Sequence, residues 1–238
     1  MIEFVDVTVR YRRTTAARGV TFSVGSGIHA LLGPNGAGKS TLMSVATGMR
    51  EPTSGTVTVD GRSDRTFLRR TVGLLPQDNL PRSRFTVEEF LHYIAWLNEV
   101  DRDEVAGQVE TALDTVSLQD HRDSRIRSLS GGTRRRAGIA AALIGDPKAL
   151  LLDEPSAGLD ITHRRALSNA LTVIAERIPV LMSTHIVDDV AGVDDVAGVA
   201  DAVTVLSEGA VKFTGSMHDF TGGTDDARAI EDAYLSHV

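Results

Sequence analysis

The sequence predicts an α/β protein with a parallel-sheet core, an antiparallel β part near the N-terminus and an inserted helical part. Three observations predict this fold. Short apolar runs typical of buried strands alternate with segments of helical periodicity, as in a parallel sheet with crossover helices. A glycine-rich run follows one of these strands and opens a helix. A longer stretch of helical periodicity interrupts the alternation in the middle of the chain.

The strands of the first third are of two kinds. Apolar residues at every second position, which indicate half-buried strands, mark 2–9, 20–24 and 53–61. Continuous apolar runs, which indicate buried strands, mark 28–32 and 71–77. The chain therefore begins with half-buried strands, and its first buried strand ends at Gly33.

We expect a single domain over residues 1–238, with a helical subdomain at about 78–145 inserted in its core. Thr86 is the expected N-cap of the first inserted helix, and Glu89 three positions later completes a capping box. The aromatic residues of this helix are predicted to lie in the core rather than to form a ligand box; they are Phe90, Tyr93 and Trp96. After the insertion, buried strands and helices alternate again from 149 to 209.

Composition excludes several classes of protein. The formal net charge of -7 disfavours general binding to nucleic acid, which needs a basic surface. The chain has no cysteine, so disulfides, cysteine-ligated zinc and thiol catalysis are excluded. No run approaches the roughly 20 apolar residues that span a bilayer, and the N-terminus lacks the pattern of a secretory signal. A role at a membrane would therefore require a partner.

The glycine-rich run fits the pattern G-x-x-x-x-G-K-[ST], and its place between a strand and a helix favours a phosphate-binding loop. Glycine permits the turns that let backbone N–H groups converge on phosphate oxygens, and the following helix directs its positive end at the same point. Lys39 supplies a charge for the β and γ phosphates, and Ser40 a hydroxyl for Mg²⁺. The expected ATP ligands are Gly33, Pro34, Asn35, Gly36, Ala37, Gly38, Lys39, Ser40 and Thr41.

Two carboxylates, Asp153 and Glu154, follow the buried strand at 149–152. Ligands of doubly wound sheets bind at the carboxyl ends of strands, so this pair is expected to face the phosphate loop. Asp153 is assigned to Mg²⁺, and Glu154 to deprotonating the attacking water. The alternative is a solvated strand end without chemistry.

Three further side chains complete the candidate site. His185 follows a buried strand and is the expected sensor of the γ-phosphate, with a catalytic role. Gln77 follows another strand and offers an amide oxygen to Mg²⁺ or to the water. Tyr11 offers a ring face to adenine. A purely structural role is the alternative for each.

In this order the motifs resemble those of the nucleotide-binding subunit of ATP-binding-cassette (ABC) transporters. The resemblance covers nearly the whole chain and adds the signature LSGG at 129–132 and the D-loop SAGLD at 156–160. It implies a P-loop NTPase core, ATP hydrolysis with Mg²⁺, and a head-to-tail dimer, expected here to be a homodimer, that encloses two ATP molecules. The residues implied in trans are Ser130, Gly131 and Gly132 of the signature, and the residue implied in the D-loop is Asp160.

The resemblance also implies integral membrane permease partners and a peripheral location at the cytoplasmic face of the cell membrane. The wording of residues 129–136 is closer to the exporters of drugs, antibiotics or polysaccharides than to importers. The alternative is a soluble ABC ATPase of another machine, such as iron–sulfur cluster assembly. A kinase or a switch GTPase is disfavoured because neither needs the LSGG segment.

Three features depart from the family pattern or remain open. Thr133 stands where the commonest family form has glutamine, and we expect activity to survive. The arginines at 134–136 either strengthen the positive field of their helix or lie on its solvated face. A tandem VDDVAG repeat at 187–198 is interpreted as a structural insertion, with a regulatory element as the alternative.

Overall fold

The computed structural model describes residues 1–78, 80, 82–185, 200–223 and 227–237. The strands are β1 Ile2–Tyr11, β2 Thr14–Val24, β3 Ile28–Leu32, β4 Ser54–Val59, β5 Val72–Leu75, β6 Ala149–Asp153, β7 Val180–Thr184, β8 Ala202–Ser207 and β9 Ala210–Ser216. The helices are α1 Lys39–Ala46, α2 Arg65–Thr71, α3 Val87–Leu97, α4 Arg102–Thr115, α5 Gly131–Leu143, α6 Ile161–Ala175, α7 Met217–Thr221 and α8 Ala227–Leu235. The repeat at 187–198 lies outside the described residues.

The smaller sheet is antiparallel, with β1 between β2 and β4. Ile2 pairs with Val24 on one side and with Val59 on the other. Phe4 stacks on Phe22 with 4.4 Å between the ring centroids, which fixes the register in the core. The predicted antiparallel N-terminal part is confirmed.

The larger sheet has the order β5-β6-β7-β3-β8-β9, and only β9 joins it antiparallel. Every residue of β3, β6 and β7 is buried, because apolar clusters cover both faces of the sheet. The predicted parallel core is confirmed. Strands β5, β6, β7 and β3 are neighbours, so the loops after them meet at one edge of the sheet.

Helices α3, α4 and α5 pack against one another and against the core through one apolar cluster. The capping box of α3 is confirmed, since Thr86 accepts a bond from the Glu89 amide while Glu89 accepts one from the Thr86 amide. These helices lie within the stretch predicted as a helical subdomain at about 78–145, whose extent as a unit stays a prediction. No helix within the described ranges is long and apolar enough to cross a membrane.

The prediction that the aromatic residues of α3 lie in the core is wrong for two of them. Tyr93 is 42% exposed and Trp96 is 71% exposed, whereas Phe90 is half-buried. The face of α3 that turns to the core carries Val87, Leu91 and Ala95 at four-residue spacing. Tyr93 and Trp96 lie on a different face of α3, where their rings stack on each other and are exposed to solvent. Both rings are therefore accessible to a partner.

Candidate active site

The phosphate loop joins β3 to α1, and two of its glycines are required by close packing. A Cβ at Gly33 would lie 2.2 Å from the carbonyl oxygen of Leu206, and one at Gly38 would lie 2.2 Å from that of Ala16. Gly38 is also the N-cap of α1, with φ of 107°, a conformation that favours glycine. The loop therefore lies directly against the backbone beneath it, with the N-terminus of α1 at its end.

Lys39 is buried at the base of this loop. Its Nζ donates to the carbonyl oxygens of Gly33 at 2.7 Å and Pro34 at 3.2 Å. Burial lowers the pKa of Lys39, while the charges of Glu154 and Asp153 act in the opposite direction. The ammonium is thus held by neutral carbonyls, for which phosphate oxygens are stronger replacements. Beside it, Ser40 is exposed at the start of α1.

The Glu154 carboxylate is the point where side chains from four neighbouring strand ends meet. Lys39 Nζ, beyond β3, lies 3.9 Å from Glu154 Oε1. Gln77 Nε2, beyond β5, donates to Glu154 Oε2 at 3.2 Å, and His185 Nδ1, beyond β7, lies 3.0 Å from Glu154 Oε1. Glu154 itself follows β6 and is only 7% exposed. A buried carboxylate at the mouth of a phosphate loop, with one cation and two polar side chains in contact, has the composition of a site for phosphoryl chemistry.

Asp153 and Glu154 are held in place by Ser183 of β7. Ser183 Oγ donates to Asp153 Oδ1 at 2.5 Å and accepts from the Glu154 amide at 3.0 Å. Glu154 has φ of 49°, which turns the chain out of β6 and separates the two carboxylates. This geometry is sterically compatible with the expected roles, in which Asp153 binds Mg²⁺ and Glu154 deprotonates the attacking water.

Arg135 of α5 is a residue that the sequence analysis failed to assign. It is 4% exposed, and its five N–H groups donate to five backbone carbonyls at the ends of β5 and β6. Burial lowers its pKa, and the charges of Asp153 and Glu154 oppose that shift. The carbonyls belong to Pro76, Gln77, Asp153, Glu154 and Pro155.

The solvated-face interpretation of the basic run at 134–136 is therefore wrong for Arg135, which is buried, and Arg136 is also bonded to the fold through the carbonyls of Val116 and Ser117. The contribution of the run to the positive field of the helix stays a prediction. Consecutive positions on a helix point about 100° apart, so three arginines in a row cannot all face solvent on a packed helix. The helical periodicity of the sequence was therefore the signal that could have identified a buried arginine in this run.

Residues 17–157, more than half of the chain, match the model of the ABC transporter family. The chain belongs to this family. Its fold is accordingly that of an ABC ATP-binding domain, a class of ATPase whose members bind ATP, typically with Mg²⁺. Family members work as dimers with membrane permeases.

Known proteins agree with this assignment. The chain is 33% identical over 220 residues to the uncharacterized ABC transporter ATP-binding protein YxlF of Bacillus subtilis, which covers 92% of the chain and 72% of that protein. It is 37% identical over 192 residues to the phospholipid-transporting ATPase ABCA3 of Rattus norvegicus, covering 79% of the chain but 11% of that protein. The chain spans only 7 to 11% of the length of the curated sub-family A relatives that it matches.

Among solved structures, cbiO1 from Clostridium perfringens, part of the ABC transporter complex cbiONQ, superposes with a TM-score of 0.83 at 26% identity. The match covers 100% of this chain and 98% of cbiO1. The described part of the chain thus has the fold of an ABC ATP-binding protein.

The signature of this ABC domain lies at the N-terminus of α5. Ser130 is the N-cap and accepts a bond from the Thr133 amide at 3.1 Å, while Gly131 is exposed and Gly132 buried. Thr133, the departure from the commonest family form, is buried with its hydroxyl 2.8 Å from Ser130 Oγ. The Thr133 side chain therefore contacts the signature serine from inside the fold and does not face solvent.

The remaining predicted residues lie on separate elements. Tyr11 ends β1 with its hydroxyl 3.4 Å from Thr41 Oγ1, and the Arg50 guanidinium lies 4.1 Å from its ring centroid. One face of the expected adenine platform is thus occupied by a cation–π contact. Asp160 is the N-cap of α6, where it accepts a bond from the His163 amide.

The residues present fit Mg-ATP. The loop provides the close backbone approach that phosphate needs, and the donor set beside it is hydroxyl, amide and carboxylate oxygen, the hard ligands that Mg²⁺ takes. No group of three or more His, Asp or Glu within the described part of the chain forms a ready cation cage.

Proposed function

We propose that this chain is an ATP-hydrolysing nucleotide-binding subunit that dimerises around two Mg-ATP and drives transport, in the direction of export, through a separate membrane-spanning partner. The observation that carries the proposal is the convergence of Lys39, Gln77 and His185 on the Glu154 carboxylate. Each comes from the end of a different strand, so the contact exists only in the folded core. Such convergence supports hydrolysis rather than nucleotide storage.

The substrate-binding roles follow from position and chemistry. The backbone of 33–38 surrounds the phosphates, and the Lys39 ammonium exchanges its carbonyl partners for β- and γ-phosphate oxygens. Ser40, Gln77 and Asp153 would supply oxygens for Mg²⁺, and the ion would neutralise charge on the phosphates. The free face of the Tyr11 ring receives adenine, opposite Arg50.

Glu154 is the general base. Water attacks the γ-phosphorus and gives a proton to the Glu154 carboxylate as the bond to the ADP oxygen breaks. His185 donates its Nδ1 proton to the same carboxylate and so fixes its orientation, and Gln77 does so from the other side. A positioned general base contributes about 10² to 10⁴ in rate.

The dimer supplies the other half of each site. Ser130, Gly131 and Gly132 stand at the N-terminus of a 13-residue helix, which favours an anion, and they would contact the γ-phosphate held by the partner subunit. Asp160 lies beside them, linked to Ser130 through His163. ATP binding thereby favours the closed dimer, and hydrolysis releases it.

A cluster of exposed aromatic rings supports the proposal of a membrane-spanning partner. Phe85, Tyr93 and Trp96 form a ladder with centroid separations of 5.7 and 6.1 Å, and Trp96 is 71% exposed. Aromatic rings that remain in water on a packed helix are typical of a docking surface. Asp78, just beyond Gln77, is exposed as well, and we expect a groove near Gln77 and the helical insertion to receive a short helix of the partner. This docking would place the subunit peripherally at the cytoplasmic face of the membrane.

The catalytic part is tested with Glu154→Gln. The variant should bind ATP with unchanged affinity, hydrolyse it at least about 10²-fold more slowly, and accumulate as a dimer with ATP on size-exclusion chromatography. Glu176→Gln, at an exposed carboxylate after α6, is the matched control and should behave as the parent protein. Hydrolysis by Glu154→Gln at the parental rate would show that the assigned base is wrong.

The transport part is tested by membrane association. The subunit should sediment with membranes that contain its partner and not with membranes from a partner deletion. Trp96→Ala should reduce this association, whereas Val173→Ala, at a 49% exposed apolar position of α6, should not. Association that persists without the partner would contradict the proposal, and a subunit that stays in the supernatant even with the partner present would favour a soluble machine.

A further inference from the structure

The hydroxyl of Ser130 lies between two neighbours with different hydrogen-bonding abilities. Ser130 Oγ is 2.8 Å from Thr133 Oγ1 and 3.5 Å from His163 Nε2, and it accepts from the Thr133 amide at 3.1 Å. A hydroxyl has one proton to donate and two lone pairs. The neighbour that takes this proton therefore decides where the O–H bond points.

Asp160 fixes the tautomer of His163. Both oxygens of the Asp160 carboxylate lie against His163 Nδ1, at 2.8 and 2.9 Å. The pKa of Asp160 is lowered, first by the bond from the His163 amide and then by the bond from the His163 ring, so the carboxylate is ionised and can only accept. Nδ1 consequently carries a hydrogen, and in the neutral ring Nε2 presents a lone pair to Ser130.

The imidazole ring also lies directly against the signature helix. A Cβ at Gly132 would be 2.0 Å from His163 Cδ2 and 2.3 Å from Cγ. The absence of a side chain at Gly132 is therefore what lets the ring reach Ser130. Through this one ring, the N-terminus of α6 and the N-terminus of α5 are joined.

We propose that His163 is a positioning residue for the signature serine, which it keeps ready to donate its proton to the γ-phosphate in the partner's site. The inference rests on the proposed function, in which Ser130 contacts that phosphate. With Nε2 as acceptor, the Ser130 proton points to His163, and both lone pairs of Ser130 are filled by the amide and hydroxyl of Thr133. The bond to Nε2 is long, so a phosphate oxygen replaces it easily.

Without His163 the proton has a different partner. Ser130 would donate to Thr133 Oγ1 at 2.8 Å, a shorter and stronger bond that phosphate would have to break. By accepting the Ser130 proton, His163 thus prevents Ser130 from donating it to Thr133 Oγ1. The same contact couples the D-loop to the signature of its own subunit, because Asp160 fixes the tautomer of the His163 ring and that ring orients the Ser130 hydroxyl.

The experiment compares His163→Phe with His163→Gln, both in the full-length Glu154→Gln background with ATP. Phenylalanine keeps a planar ring over Gly132 but has no nitrogen, whereas glutamine retains an amide acceptor. His163→Phe should weaken the ATP-dependent dimer about fivefold per site, and thus about 25-fold in dimer Kd measured by sedimentation. ATP affinity of the monomer should be unchanged, and His163→Gln should restore dimerisation to within about twofold.

A second comparison separates hydrogen bonding from packing. In a Ser130→Ala background there is no hydroxyl to orient, so His163→Phe should have no further effect on dimer Kd. An equal effect with and without the hydroxyl would assign His163 to packing and overturn the inference. So would an unchanged Kd in His163→Phe alone. If Glu154→Gln itself stays monomeric with ATP, the proposed function falls, and the role of His163 falls with it.

Discussion

Replacing Arg135 by lysine is expected to destabilise the protein by about 3 kcal/mol. Arginine donates five hydrogen bonds here, and lysine has three donors, so at least two buried carbonyls lose their partner. A hydrogen bond to a charged group contributes about 1.5 to 3 kcal/mol, and the lower value for two bonds gives about 3. The variant should still fold, since domains are stable by about 5 to 15 kcal/mol.

The same substitution should slow hydrolysis, because the released carbonyls belong to Gln77 and to the segment that carries Glu154. Displacement of catalytic groups by about 1 Å costs roughly 10²-fold in rate. We therefore expect kcat to fall about 10- to 100-fold, with a smaller change in KM, since the phosphate loop makes no bond to Arg135 among those described above.

Urea unfolding and steady-state ATP hydrolysis measure the two effects. With a slope of about 3 kcal/mol per molar urea, the midpoint of Arg135→Lys should fall by about 1 M. Arg136→Lys is the matched control on the same helix: both of its bonds come from one nitrogen, which a lysine ammonium can replace. Equal midpoints for Arg135→Lys and the parent protein would refute the view that the guanidinium holds these strand ends.

Two further predictions concern the core and the signature. Burial lowers the pKa of His29 to about 4, so its contribution to stability is complete above its ordinary value of 6.5 and is lost as the pH falls toward 4. The free energy of unfolding should drop by about 2 kcal/mol between pH 7 and pH 5 for this reason, and His29→Gln should lack that drop; parallel curves would exclude His29 as the cause. Gly132→Ala should destabilise the protein by about 1 to 3 kcal/mol because its Cβ would overlap the His163 ring. The double variant with His163→Ala should recover that loss in thermal unfolding, and failure to recover it would show that the glycine is required for another reason.

Most of the fold could be predicted because its signals are local. The capping box at Thr86 and Glu89 needs contacts only three residues apart, and the continuous apolar runs of β3 and β6 reflect burial on both sheet faces. The exposure of Trp96 could not be predicted, since an aromatic residue at helical spacing fits a buried face and a partner surface equally well. Whether Trp96 is buried or exposed depended on which side of α3 faces the core.

The order and spacing of the motifs in the sequence by themselves determined the phosphate loop, the acidic pair and the membership of the ABC family, because each motif is a short run whose chemistry is carried by its own residues. Only the tertiary structure decided that Arg135 holds the strand ends and that His163 meets Ser130. Those contacts join residues 18 to 59 positions and 33 positions apart, respectively. Such pairings arise from how helices pack on the sheet, and no local pattern of polarity specifies them.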